Sequence, residues 1–319
     1  MEKKKVFITG MSGYIGGRLC RELEHTPWCE RFYGMDVKPP LAKYDKGEFR
    51  KLDINSPELI KWATEIKPDI FIHLAFIVDP IPEEEFMRHV NVDGTRNALA
   101  AAAESGARQV LVASSGTAYG AWPDNPPALR ETDPIRSNPK FRYSADKGEV
   151  ETLCQEFMKA HPEAVLSIIR PCVVYGPLVN NYLSDLITGL PLVVALREYD
   201  PALQFIHEDD VVGAILMILE KEGRGAYNFA PPDTMTMREV IALSGKRVLY
   251  LPDQIARSLI GLSWFLQLPI LLVPPAFLDF IRYSWVLDSR RLREELGYTF
   301  RYSTRETVEI LLRAKRVLV

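Results

Sequence analysis

The first sixteen residues constrain the fold more than any other stretch. An apolar run, Val6-Phe7-Ile8, leads into Gly10-x-x-Gly13-x-x-Gly16, and a helical pattern begins at Tyr14. Glycines at this spacing permit a tight strand-to-helix turn and let the helix lie close against the strand. The same rhythm continues downstream. Apolar runs at 6–8, 32–35, 70–74, 109–113 and 165–169 read as strands. Helical patterns cover 14–24, 57–65, 83–105 and 143–160. The runs are apolar throughout instead of alternating, as strands covered on both faces require. The expected fold class is therefore α/β: a Rossmann-type, doubly wound parallel sheet. After Arg170 prolines become frequent and the alternation weakens. Residues 1–177 are expected to form the dinucleotide-binding domain, with 203–222 returning to it through a helix at 211–220. A smaller C-terminal substrate-side domain is expected from 178–202 and 223–319.

The turn also suggests a ligand. Backbone N–H groups at Gly10, Gly13, Tyr14, Ile15 and Gly16 can approach a pyrophosphate, whose charge suits the N-terminus of the helix. A turn with no ligand is the competing explanation. Its position after a strand and before a helix favours a nicotinamide dinucleotide. Asp36 follows the second strand about twenty residues later, where a carboxylate accepts from ribose hydroxyls and repels a 2′-phosphate. NAD is thereby preferred over NADP, although Lys38 stands nearby. Asp53 and Ile54 are placed beside the adenine.

Tyr143 and Lys147 are four residues apart on a helical stretch and so share a face. A free phenol, with a pKa near 10, is a poor base at neutral pH. A neighbouring ammonium and a cationic nicotinamide would stabilise its phenolate. Tyr-x-x-x-Lys alone is common. Here it occurs in order with Leu74-Ala75, Asn91-Val92-Asp93-Gly94-Thr95, Ser114-Ser115-Gly116-Thr117-Ala118-Tyr119-Gly120 and Arg170-Pro171-Cys172-Val173-Val174-Tyr175-Gly176-Pro177. This series resembles the extended short-chain dehydrogenase/reductase family, also called the NAD-dependent epimerase/dehydratase family, across nearly the whole chain. The resemblance implies an NAD-dependent enzyme, frequently a homodimer. It implies that Ser115 (with Thr117 as the alternative) is the catalytic hydroxyl beside Tyr143 and Lys147. It further implies that Leu74 and Ala75 line the cofactor, that Asn91 organises the surroundings of the lysine, and that Pro171, Cys172 and Val173 border the nicotinamide.

The substrate is less defined. Gly116-Thr117 stands where sugar-nucleotide dehydratases of that family carry an acidic pair, which argues against water elimination. Val173 and Leu203 replace an asparagine and an arginine that sugar-nucleotide epimerases of the family often use, leaving Arg282, Arg290 or Arg291 to hold a diphosphate. His207 reads as a packing histidine. Residues 258–278 carry no charge but include Pro269, Pro274 and Pro275. That length approaches a membrane span, yet the prolines remove helical donors; buried helices around an apolar pocket, or peripheral contact with a membrane or partner, fit better. Two small-molecule chemistries stay open at a secondary alcohol or ketone carbon: sugar-nucleotide 4-epimerase-like hydride return, and dehydrogenation or reduction of a hydrophobic hydroxy-ketone, as in hydroxysteroid or dihydroflavonol reductases. A non-catalytic dinucleotide sensor is a third reading. A net charge of −3 and a pI near 6.0 give no electrostatic basis for nucleic-acid binding. The four cysteines lack metal-site spacing, so no metal is expected. The chain opens on a strand with no signal-peptide pattern, so a cytoplasmic location is expected.

Overall fold

The computed structural model describes residues 2–189, 192–268 and 273–317. Seven parallel strands form its central sheet: β1 (Lys4–Thr9), β2 (Cys29–Asp36), β3 (Gly47–Lys51), β4 (Ile70–His73), β5 (Gln109–Ala113), β6 (Val165–Pro171) and a last strand, Gly225–Phe229. Their spatial order places Gly225–Phe229 at one edge, then β6, β5, β4, β1, β2 and β3. The reversal of direction at β1 and β4 gives a doubly wound sheet, as the alternating pattern predicts. Helices α1 (Tyr14–His25) and α2 (Glu58–Ile66) follow in sequence. Two apolar clusters cover the two faces. Val6, Ile8, Leu19 and Ile215 belong to one, and Phe7, Phe71, Leu99 and Val150 to the other.

Several expectations need correction. The predicted helix 83–105 is interrupted. It consists of α3 (Glu84–Arg88), a π-helical turn (His89–Asp93) and α4 (Gly94–Glu104). The sequence reading missed β3 because its Gly-Glu-Phe-Arg-Lys face is half exposed at the sheet edge. Gly225–Phe229 was assigned to the substrate side, yet it pairs in register with β6, Gly225 opposite Ser167 through Phe229 opposite Pro171. The return to the main sheet therefore extends past residue 222.

Helix α5 (Arg142–Ala160) carries Tyr143 and Lys147. Beyond β6 lie short pairings: Val173–Tyr175 with Phe205–His207, Ala202–Leu203 with Met235–Thr236, and Leu192–Leu196 with Arg247–Leu251. Helix α6 (Tyr182–Thr188) belongs to this half, whereas α7 (Glu208–Glu220) packs its Val211, Ile215 and Ile218 into the same cluster as Val6, Ile8 and Leu19 of the main sheet. The uncharged stretch begins in a helix, Asp253–Phe265, and ends in a 3-10 turn, Pro275–Leu278, whose Ala276, Phe277 and Leu278 are buried. Pro269 and the three residues after it lie outside the described residues. Among the described residues no helix is long and apolar enough to cross a membrane.

Candidate active site

One large cavity, of about 810 Å³, lies against the C-terminal ends of β1, β5 and β6. This is where open α/β sheets place ligands. Gly10, Gly13, Tyr14, Ile15, Gly16 and Leu74 line one side, and Ser115, Tyr143, Lys147, Pro171, Cys172 and Val173 line the middle.

The glycine turn needs its glycines. Gly10 has φ +79°, and a Cβ there would come within 2.6 Å of the Ala75 nitrogen. A Cβ on Gly16 would sit 2.0 Å from the Gly10 carbonyl oxygen. Gly13 is the N-cap of α1, and no side chain caps that helix. Its first N–H groups therefore stay available at the cavity wall, an arrangement that fits a dinucleotide pyrophosphate.

Asp36 ends β2 and accepts hydrogen bonds from the Ser12 N–H at 3.1 Å and the Lys38 N–H at 3.2 Å. A carboxylate has about four acceptor positions, so two remain for other donors. Asp53 is exposed and accepts from the Asn55 N–H. Ile54 is buried beneath Gly94, where a Cβ would meet its methyl at 2.7 Å. The side chains of Asp53 and Ile54 thus shape a turn and the core. Ala75 abuts the glycine turn from behind. Like Asn91 and Asp36, it is not part of the cavity wall.

At the centre, Ser115 caps the short 3-10 turn Gly116–Tyr119 and accepts from the Thr117 N–H at 3.2 Å and the Thr117 hydroxyl at 3.0 Å. Ser144, beside Tyr143, accepts from the Asn138 N–H and donates to the Thr117 carbonyl at 2.7 Å. The turn bearing Ser115 is thereby tied to the start of α5, and Ser115 and Tyr143 line the cavity together. Burial pushes the Tyr143 phenol up to about 12, and the neighbouring Ser115 hydroxyl offsets part of that rise.

Lys147 lies one helical turn further on. It donates to the Ala113 carbonyl at 2.7 Å and sits 3.3 Å from the centre of the Phe76 ring. Phe76 also meets Tyr143 edge-on at 5.6 Å, and the ammonium itself is 5.7 Å from the centre of the Tyr143 ring, so the three groups pack against one another with Phe76 at the side. The expectation that the ammonium pulls the phenol down is not met in the chain alone: desolvation dominates both groups. Burial lowers Lys147 to about 7, against partial compensation from Glu151 and Asp146.

This depressed value has a stability consequence. Lys147 is lowered from 10.5 on folding, so between pH 7 and about 10 the unfolded chain binds the extra proton. Stability contributed by this group therefore rises with pH across that window, by up to about 1.4 kcal/mol per pH unit. Lys147→Met removes the effect. We expect the variant to be the more stable protein at pH 7, with the gap in thermal midpoint narrowing as pH is raised to about 10. A gap independent of pH would show that Lys147 remains charged in the fold.

A buried network braces this centre from below. Arg170, at the end of β6, pairs with Glu151 of α5 through two bonds, Nε to Oε1 at 2.8 Å and Nη2 to Oε2 at 2.9 Å. Its other arm donates to the Tyr119 hydroxyl at 2.6 Å, which in turn donates to Asn228. The pair locks α5 to the strand that leads into Pro171 and Cys172. Asn91, on the π-helical turn, accepts from the Ile77 N–H at 2.7 Å and donates to Asp146 at 2.9 Å. It holds the loop after Phe76 against α5. His73 bridges Thr9 and Thr95 at 2.7 and 2.9 Å, and burial lowers it to about 3, so it is neutral.

The far half of the cavity is apolar. Phe141, Leu186, Leu196, Leu251, Ile260 and Phe277 represent its walls, and Leu203 is among the lining residues. Among the described lining residues the only charged ones are Lys38, Asp79 and Lys147. The arginines considered for a diphosphate are engaged elsewhere: Arg282 with Asp253 and Asp279, Arg290 with Asp288, and Arg291 with Glu295 and two backbone carbonyls. His207 caps α7 and lies against the Tyr302 ring at 4.1 Å, a packing role. The sequence reading missed Phe76 and also Tyr182, which lines the apolar half beside Phe277; neither stands in a recognisable spacing.

Known proteins share this organisation. The chain is 24% identical over 327 residues to an uncharacterised protein of Mycobacterium tuberculosis, covering 98% of this chain and 84% of that one. It is 28% identical over 244 residues to the N-acetyl-alpha-D-glucosaminyl-diphospho-ditrans,octacis-undecaprenol 4-epimerase of Escherichia coli O157:H7, covering 74% of this chain and 70% of the relative. To the ceramide reductase of Caulobacter vibrioides it is 32% identical over 181 residues, covering 54% and 47%. Among solved structures, MoeE5 in complex with UDP-glucuronic acid and NAD superimposes with a TM-score of 0.77 at 23% identity, over 98% of this chain and 99% of that one. The sequence signature of the NAD dependent epimerase/dehydratase family spans residues 6–230. With the glycine turn, the doubly wound sheet and the cavity at its strand ends, that match makes the chain a member of the NAD-dependent epimerase/dehydratase family, an enzyme whose cofactor is NAD.

Proposed function

We propose that this enzyme interconverts a secondary alcohol and its ketone on a lipid-like substrate, with Tyr143 as the acid/base. One observation carries the substrate class: the half of the cavity facing Tyr143 is walled by apolar side chains, with no arginine among the described lining residues. Such a wall gains roughly 25 cal/mol per Å² of nonpolar ligand surface and offers a diphosphate no counter-charge.

Bound NAD supplies the acceptor and donor for hydride at the reacting carbon. The chain supplies the rest. Tyr143 takes the hydroxyl proton of the alcohol, and returns it in the reverse direction. Ser115, already accepting from Thr117, donates its own proton to the substrate oxygen and holds it against Tyr143. Lys147, through the Ala113 carbonyl, and Asn91, through Asp146, keep α5 in place. Pro171, Cys172 and Val173 line the same cavity and would border the nicotinamide. The N–H groups of Tyr14, Ile15 and Gly16 would hold the pyrophosphate, the Gly13 N–H being bonded to the Gly10 carbonyl, and Asp36 would hold the adenosine ribose.

Asp36→Ala is expected to weaken NAD by about tenfold or more, the value of a charged hydrogen bond, while changing NADP far less. Titration with both cofactors checks this, and equal losses would end the assignment of Asp36. For the substrate, the NAD-loaded protein should be assayed with secondary alcohols bearing long alkyl or alicyclic groups and, separately, with UDP-sugars. Accumulation of NADH with the apolar alcohols alone is the expected result.

A second reading keeps sugar-nucleotide 4-epimerisation. The 4-epimerase relative, named for a diphospho-undecaprenol substrate, supports the epimerisation but not the nucleotide. It requires hydride to return to the opposite face, so NADH would not accumulate. Stabilisation of the NAD-loaded protein by UDP alone would decide for it.

A further inference from the structure

We propose that the helix Asp253–Phe265 and the strand before it dock on a lipid bilayer, so that the substrate enters the cavity from the membrane. The proposal rests on the lipid-like substrate reading above and names the source of that substrate.

The helix has two apolar faces, and only one is used inside the protein. Ala256, Ile260 and Ser263 point inward and are buried. Ile255, Leu259, Leu262 and Leu266, spaced by four, three and four residues, are each 50–55% exposed, and Phe265 is 82% exposed. That spacing is a continuous seam along one helix face. On the strand Arg247–Leu251 that leads into the helix, Leu249 is also 47% exposed. Soluble proteins seldom leave so many large apolar side chains together in water.

Two observations select a bilayer over a second copy of the chain. First, the seam and the cavity share residues. Leu249 and Leu259 are half exposed and also line the cavity. An acyl chain leaving a bilayer core at this face meets the cavity wall without crossing water, whereas a protein seated there would cover that wall. Second, no charge interrupts the face: residues 258–278 carry none, and the flanking Arg257 is paired with Asp279 at 3.2 Å, so the seam suits a hydrocarbon phase.

The test is co-sedimentation of the full chain, loaded with NAD, with vesicles of equal parts phosphatidylcholine and phosphatidylglycerol. Leu262 and Phe265 are exposed and do not line the cavity, so the double variant L262D/F265D should fold and keep its thermal midpoint. Its affinity for vesicles is expected to fall by at least about tenfold, since each side chain loses most of its burial in the interface. Wild-type protein that stays in the supernatant, or a variant that sediments as the wild type does, overturns the proposal. So does a wild-type dimer that the variant splits without any vesicle binding, which would give the seam to a second copy. Turnover of a soluble short-chain secondary alcohol without vesicles separates this from the substrate reading. The variant should match the wild type there; if neither turns the alcohol over, the substrate reading fails while the vesicle result stands on its own.

Discussion

Replacing Tyr143 with phenylalanine is expected to lower turnover by about two to four orders of magnitude, the usual contribution of a positioned acid or base, while NAD affinity stays within a few-fold. The ring remains, so its edge contact with Phe76 and its packing against Phe141 survive. Only the phenol hydroxyl is lost. Stopped turnover with intact binding is the diagnostic pair. A variant that loses NAD but keeps proportional turnover at saturation would remove Tyr143 from the chemistry. The wild-type pH profile gives a second check. Because burial holds the phenol near 12 in the chain alone, alcohol oxidation should accelerate as pH rises through the neutral range, and ketone reduction should not. The sign follows from the proton inventory: oxidation needs the ionised phenol, reduction the neutral one.

Glu151→Ala is expected to cost about 3–5 kcal/mol of stability, because it strands the Arg170 guanidinium in a site where both partners are almost fully buried. Chemical denaturation at neutral pH measures it. The loss should also reach the reaction. Glu151 stands one turn beyond Lys147 on α5, and Arg170 immediately precedes Pro171, so their two bonds set the distance between the helix of Tyr143 and the floor of the site. Glu151→Gln keeps part of the bonding without the charge and should fall between wild type and alanine in stability. A loss below about 1 kcal/mol for the alanine variant would mean that Arg170 finds water or another acceptor when Glu151 is gone.

The sheet was legible because β1, β4 and β5 are unbroken apolar runs, and runs of that kind need cover on both faces. Its edges were not. Gly225–Phe229 is short, opens on a glycine and includes Asn228, which is buried only because Tyr119, Leu129 and Asp288 bond it. No local pattern reveals partners 60 to 109 residues away. The glycine turn, Tyr143 and Lys147 were legible through spacing, and the cavity brings them together. Asp53 was not separable from a turn residue, since an acidic side chain after a strand serves either purpose. The lysine's setting was also hidden. Phe76, which packs against both the ammonium and the Tyr143 ring, follows Leu74-Ala75 with no spacing that marks it. The arginines near the C-terminus looked free because their carboxylate partners, such as Asp253 for Arg282, come from other segments.

The π-helical turn at His89–Asp93 makes the site more sensitive to chain length than to composition. Such a turn amounts to one extra residue within a helix. Deleting any one of those five residues would restore regular α-helix, and each residue of an α-helix turns the next by about 100°. Asn91, which faces Ile77 and Asp146, would swing away from both, and the loop after Phe76 would lose its tether to α5. Point substitutions at the exposed His89 should pass almost unnoticed by comparison. Library selections on this enzyme should therefore tolerate exchanges at His89, hold Asn91 and Val92, and admit no single-residue gap across 89–93.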